Sequence, residues 1–165
     1  MLALKNQELA PVINVLTALE LSPKASRCRS KLVKKLMEKY EEYVDDEKAL
    51  FEKYGKRDEN DELLKSEEGV YKLVEETSAE CLAEQQSLID EEVAINLDEI
   101  KDKVKFLVSK LDKLDVKFAG NDAVIYDVLM DQLEGRFKMA LKITQTVTIT
   151  GTSEIDGQQA AYFSA

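Results

Sequence analysis

The sequence predicts a mainly α protein: an antiparallel helical bundle around one long helix, with a small β-hairpin or sheet element and a C-terminal strand. Three observations predict it. The stretch from Ser22 to Gly55 has Pro only at its second position and Gly only at its last, so nothing inside it breaks a helix. Within it Val33, Leu36, Tyr40, Tyr43, Leu50 and Tyr54 recur at alternating spacings of three and four, interrupted by Glu47, which places them on one helical stripe. Charged residues make up 34% of the chain and aromatics 7%, a balance that suits thin helical layers better than a thick sandwich core.

Taken in order, Leu9, Val12, Ile13, Leu16 and Leu19 mark one face of a first short helix, with Asn6 as its cap and Pro11 tolerated near its start. Ser22 is placed to cap the long helix, Pro23 to occupy its first position, and Gly55 to close it in a left-handed conformation. About 30 helical residues at ~1.5 Å each make a rod of roughly 45 Å. Leu32, Met37, Val44 and Phe51 widen its stripe. The rod is electrically lopsided. Lys24 to Lys39 holds seven basic residues against Glu38 alone, whereas Glu41 to Glu62 holds ten acids against four bases. That polarity runs against the helix dipole, so helix propensity does not account for it.

Lys56 to Leu73 is polar and punctuated by glycine, which predicts strands at 62–64 and 70–72 around a turn at Ser66–Gly69. Asp58, Asn60 and Glu62 alternate as in a calcium loop, but Leu63 stands where that loop needs glycine and Gly69 where it needs the bidentate carboxylate. Thr77 and Glu80 form a capping box for a returning helix that carries Cys81, Leu82, Gln85, Leu88 and Ile89 toward the core. Val93, Ile95 and Leu97 alternate as a short strand, and Ile100, Val104, Leu107, Leu111 and Leu114 define another amphipathic helix. After Gly120, Asp122 caps a last helix with Ile125, Leu129, Leu133 and Phe137 inward. Leu141, Ile143, Val147 and Ile149 alternate with threonines as a strand that needs a partner, within the chain or on another molecule. The expected organisation is one mostly helical domain over 1–150 and a flexible tail over 151–165.

The composition excludes most chemistry. The chain contains no His, which removes Ser-His-Asp, Cys-His and His-zinc arrangements. Neighbouring acids such as Glu41-Glu42 and Asp45-Asp46-Glu47 point apart on a helix instead of converging, and the six glycines are scattered singly, so no phosphate loop forms. Cys28 sits between Arg27 and Arg29, which would lower an exposed thiol's pKa, yet both it and Cys81 lie near apolar stripes and read first as small buried hydrophobes. No enzyme, cofactor or metal site is expected. The net charge of −10 disfavours nucleic acid, no apolar run approaches membrane-spanning length, and no export signal is visible, so a cytoplasmic protein is expected. The candidate partner surface lies on the long helix: Arg27, Arg29, Lys31, Lys34 and Lys35 as a basic patch, and Tyr40, Tyr43 and Tyr54 as an apolar seam. A solvated basic face neutralised by the acidic helices is the plainer account of that patch.

Several stretches together resemble a known family: Leu4-Lys5-Asn6-Gln7-Glu8-Leu9, Lys24-Ala25-Ser26-Arg27, Lys53-Tyr54-Gly55-Lys56-Arg57-Asp58-Glu59-Asn60, Asp90-Glu91-Glu92-Val93, and Gly120-Asn121-Asp122-Ala123-Val124-Ile125-Tyr126-Asp127. The family is an uncharacterised one of small proteins from tailed phages and prophages of Gram-positive bacteria. The resemblance implies a phage-encoded protein, made with the late tail and lysis genes, that has no catalytic residue. The leading expectation is a structural or assembly protein that presents a helical face to a phage component, a host protein or a second copy of itself, in the bacterial host cytoplasm or with the virion. The alternative is a soluble acidic inhibitor that fills the basic channel of a host defence or nucleic-acid enzyme.

Overall fold

The structure is a computed structural model that describes residues 1–135. Strand β1 (Leu2–Lys5) runs directly into α1 (Asn6–Ala18), which turns back onto the long helix α2 (Pro23–Tyr54). A compact excursion over 55–73 and a 3-10 turn (Glu75–Thr77) lead into α3 (Ser78–Asp90), followed by β2 (Glu92–Ile95), a 3-10 turn (Asp98–Ile100) and α4 (Lys101–Leu111). A further helix, α5, occupies 121–135, up to the end of the described residues. The helical class with a small antiparallel sheet is the one the sequence predicts. The strand expected over Leu141–Thr150, the tail over 151–165 and Phe137 lie outside the described residues.

Helix α2 is the spine, with α1, α3 and α4 all packed on it. Pro23 stands at its first position, as expected, and the Ser22 carbonyl accepts from the Ser26 amide at 2.8 Å although the Ser22 side chain caps nothing. Gly55 ends the helix for a different reason from the one expected. Its φ is −70°, so no left-handed turn is made. An added Cβ would instead strike the Phe51 carbonyl and the Leu63 side chain, so the closing residue is glycine for want of space.

The strand β1 is absent from the local sequence pattern. It pairs antiparallel with β2, Leu2 opposite Ile95 and Leu4 opposite Val93, and buries both leucines. Asn6 consequently is the first residue of α1 and not its cap. Its backbone amide donates to the Glu91 carbonyl and its side-chain amide to the Leu88 carbonyl, both at 2.9 Å, which ties the start of α1 to the end of α3. The Glu8 carboxylate serves the α1 terminus instead, accepting from the Lys5 amide at 2.8 Å. Thr77 does precede α3, but no capping box forms there; Ser78 Oγ donates to the Glu75 carbonyl. Leu82 points outward, 57% exposed, while Cys81 is buried and Gln85, Leu88 and Ile89 are half-buried.

The buried side chains fall into two groups strung along α2. The larger joins Leu2, Leu4, α1, Cys28, Leu32 and Leu36 of α2, β2, α4 and α5. Among the described residues the smaller holds only Leu50, Tyr54 and Cys81, with Phe51 and Leu73 against them. Cys28 and Cys81 therefore belong to different cores. The α2 segment from Cys28 to Leu50 spans about 33 Å at ~1.5 Å per residue, far beyond disulfide reach.

The excursion closing the smaller core is not a simple hairpin. Three short pieces pair in a ring, through bridges between Gly55 and Leu73, Arg57 and Leu63, and Lys65 and Tyr71. At its centre the Lys56 amide donates to the Lys72 carbonyl (2.7 Å), Lys72 to Leu64 (2.9 Å) and Leu64 to Lys56 (2.8 Å), a closed backbone triangle. The two outer turns repeat one another. Glu62 N–H donates to Asp58 Oδ1 at 3.0 Å as Val70 N–H donates to Ser66 Oγ at 3.2 Å, and Asp61 and Gly69 take the matching positive φ of 64° and 82°. Asp58, read as a failed calcium ligand, is a turn-former.

Candidate protein-interaction surface

The candidate residues all sit on α2, and what packs around the helix decides their fate. Ala25, Cys28, Leu32 and Leu36 are buried near its start and Leu50 and Tyr54 near its end. Between Leu36 and Leu50 no residue of α2 is buried, so the helix has an open waist where one core has ended and the other has not begun.

The five basic candidates divide into two sets. Arg29 is turned inward: its guanidinium donates to the Leu19 carbonyl, to the Leu16 carbonyl at 3.2 Å and to Ser26 Oγ at 3.1 Å. It thus satisfies the carbonyls left at the end of α1, where the helix dipole favours a cation. Lys35 reaches Glu99 at 2.9 Å; that hydrogen bond raises the ammonium pKa and lowers that of the carboxylate. Arg27, Lys31 and Lys34 remain exposed, with no ion pair or side-chain hydrogen bond among the described residues. Lys24, beside them, lies over the Phe106 ring at 4.5 Å.

The three tyrosines separate in the same way. Tyr54 is buried, and its hydroxyl donates to Glu84 Oε1 at 2.6 Å, where Lys53 also arrives at 3.3 Å. The Tyr54 bond lowers the Glu84 pKa, and that carboxylate raises the pKa of Tyr54 in turn. Tyr54 is therefore interior to the smaller core and takes no part in an open seam. Tyr43 donates to Glu47 Oε2 at 2.9 Å, and burial followed by that carboxylate pushes its pKa up to about 12. Tyr40 is half-buried at the margin of the larger core, 6.2 Å from the Tyr43 ring. On the outer side of the waist stand Met37 and Val44, 38% and 41% exposed. Both widen the helical stripe expected from the sequence, on its exposed side. A signal was available: Val33, Met37, Tyr40, Val44, Glu47 and Phe51 form a second four-three seam, offset from the buried one.

Concave features offer less. A dent of about 320 Å³ between α2 and α3 is lined by Asp46, Ala49, Leu50, Lys53, Glu84 and Leu88. Another, of about 350 Å³, lies where the chain passes from α4 to α5, with Leu111, Phe118, Tyr126 and Met130 rimmed by carboxylates. Cys28 and Cys81 are buried thiols, and burial raises the Cys81 pKa. Among the described residues no cluster of three metal-binding side chains occurs, and no helix is long and apolar enough to cross a membrane.

These features define a helical body continued by a two-helix arm, made of the end of α2, α3 and the excursion over 55–73, with the candidate residues on the faces of α2. The chain belongs to the family described as protein of unknown function (DUF1617), whose family model matches residues 1–139. No curated protein and no solved structure matches it.

Proposed function

We propose that the chain is a non-enzymatic, phage-encoded structural or assembly protein that works through a helical protein-binding surface, in the host cytoplasm or with the virion. The observation that supports this reading most is the outer side of α2, where unpaired Arg27, Lys31 and Lys34 run up to exposed Met37 and Val44. Cations without internal partners beside apolar side chains form a mixed surface of the kind that protein partners cover. The residues quoted for the phage resemblance lie within the stretch that the family model matches.

The test is purification of the tagged chain from infected host cells beside an Arg27→Glu, Lys31→Glu, Lys34→Glu variant. A stoichiometric partner retained by the parent and lost by the variant, with both melting alike, is the expected result. Equal recovery by both chains would remove α2 from the account. An acidic inhibitor is the second reading, and the far end of the arm favours it, since Asp58, Glu59, Asp61, Glu62, Glu67 and Glu68 are all exposed there. Loss of the partner on neutralising the other five, with Asp58 kept because its turn depends on it, but not on reversing the α2 cations, would favour the inhibitor.

A further inference from the structure

Two apolar seams run along α2, and among the described residues one is covered along its length and the other only in part. The covered seam passes through Leu32, Leu36, Leu50 and Tyr54. The other passes through Val33, Met37, Tyr40, Val44 and Phe51, with Glu47 as its polar member; Val33, Tyr40 and Phe51 are half-buried at the core margins and Met37 and Val44 are open. Four-three spacing over this length is the pattern of a helix that receives another helix.

The charge on α2 selects the occupant. The sign of the helix reverses between Lys39 and Glu41, at Tyr40, in the middle of the open seam. A second α2 laid along it head to tail meets opposite charge over both halves, whereas one laid in parallel meets like charge throughout. We infer that the waist of α2 docks a second copy of this chain, antiparallel, with the two-fold axis between Glu38 and Lys39, next to the charge reversal. In that register Met37 of one copy lies beside Tyr40 of the other, Val33 beside Val44, and Lys34 beside Glu41, each contact occurring twice as an isologous interface requires. The pairing rests on the reading of the chain as an assembly protein and names its partner. The net charge of −10 on each copy opposes it, so the dimer dissociates on dilution.

Lys34 and Glu41 give a clean test, because both are exposed and neither has an ion pair or side-chain hydrogen bond among the described residues. Seven residues apart, about 10 Å along one helix, they do not pair within a chain. Sedimentation equilibrium of the full chain over a range of concentrations is expected to show a monomer–dimer equilibrium. Met37→Glu with Val44→Glu removes the dimer; Lys34→Glu or Glu41→Lys alone weakens it at least tenfold; the two together in one chain restore it. A parent that stays monomeric throughout, a dimer indifferent to Met37→Glu and Val44→Glu, or a failed restoration each overturns the inference. A monomer that still holds a partner through Arg27, Lys31 and Lys34 keeps the assembly reading while ending this one. A dimer with no such partner keeps this one and leaves the second copy as the partner of the assembly reading, without a role for Arg27 and Lys31.

Discussion

The two cores on α2 are built by different means. Around Leu32 and Leu36, apolar side chains from both strands, α1, α4 and α5 converge, and burial carries the stability. Around Leu50 and Tyr54, among the described residues, only Cys81 is buried as well, and the far end is closed by a ring of backbone hydrogen bonds and two matching turns. Hydrogen bonds contribute less net stability than burial of comparable extent, so the arm is the weaker unit and opens first. One continuous helix can thus belong to two regions of unequal stability, with its open waist at the boundary.

The largest way to break this comparison is Leu36→Asp, which puts an unpaired charge among fully buried side chains. A loss of about 4 kcal/mol, unfolding the body and the arm together, is expected in chemical denaturation. Leu50→Ala should cost about 3 kcal/mol, but confined to the arm: protease cutting within 55–77 rises while the body keeps its near-ultraviolet signal. Gly55→Ala should follow at about 2 kcal/mol, because the new methyl must displace the Phe51 carbonyl or Leu63. A wild-type melting curve for that variant would show that the close approach is not needed.

The smallest expected effect is on pH. Hydrogen bonds from Tyr54 and Gln86 hold Glu84 and Asp90 below the usual carboxylate range, and Lys35 does the same to Glu99. Groups so depressed contribute stability that is present above their unfolded pKa near ~4 and lost as pH falls through the folded values. With no His in the chain, stability should be nearly level from about pH 5 to 8 and fall in acid, and fall again in alkali as the raised Tyr43 and Tyr54 hydroxyls ionise. A transition near pH 6 in a denaturation series would contradict this.

Sequence pattern carried α2 from Pro23 to Tyr54, α3 and α4, because each has a regular apolar spacing and α2 also has a proline and a glycine at its ends. It did not carry β1, whose four residues have a partner far along the chain and no local signature. The repeated turns were hidden because chemically equivalent residues differ in name: Asp58 matches Ser66, and Asp61 matches Gly69. On α2, the five candidate cations look alike in sequence. Only packing distinguishes Arg29, taken by the end of α1, and Lys35, taken by Glu99, from those left outside.

Native-state hydrogen exchange along α2 tests the central claim most directly, because one helix reports on both cores. Amides at 28–36 should exchange only through global unfolding, and those from Val44 to Tyr54 through a cheaper opening shared with α3. Leu50→Ala should speed the second set alone. A single exchange free energy from Pro23 to Tyr54, shifted equally at both ends by that substitution, would mean that the two cores are one.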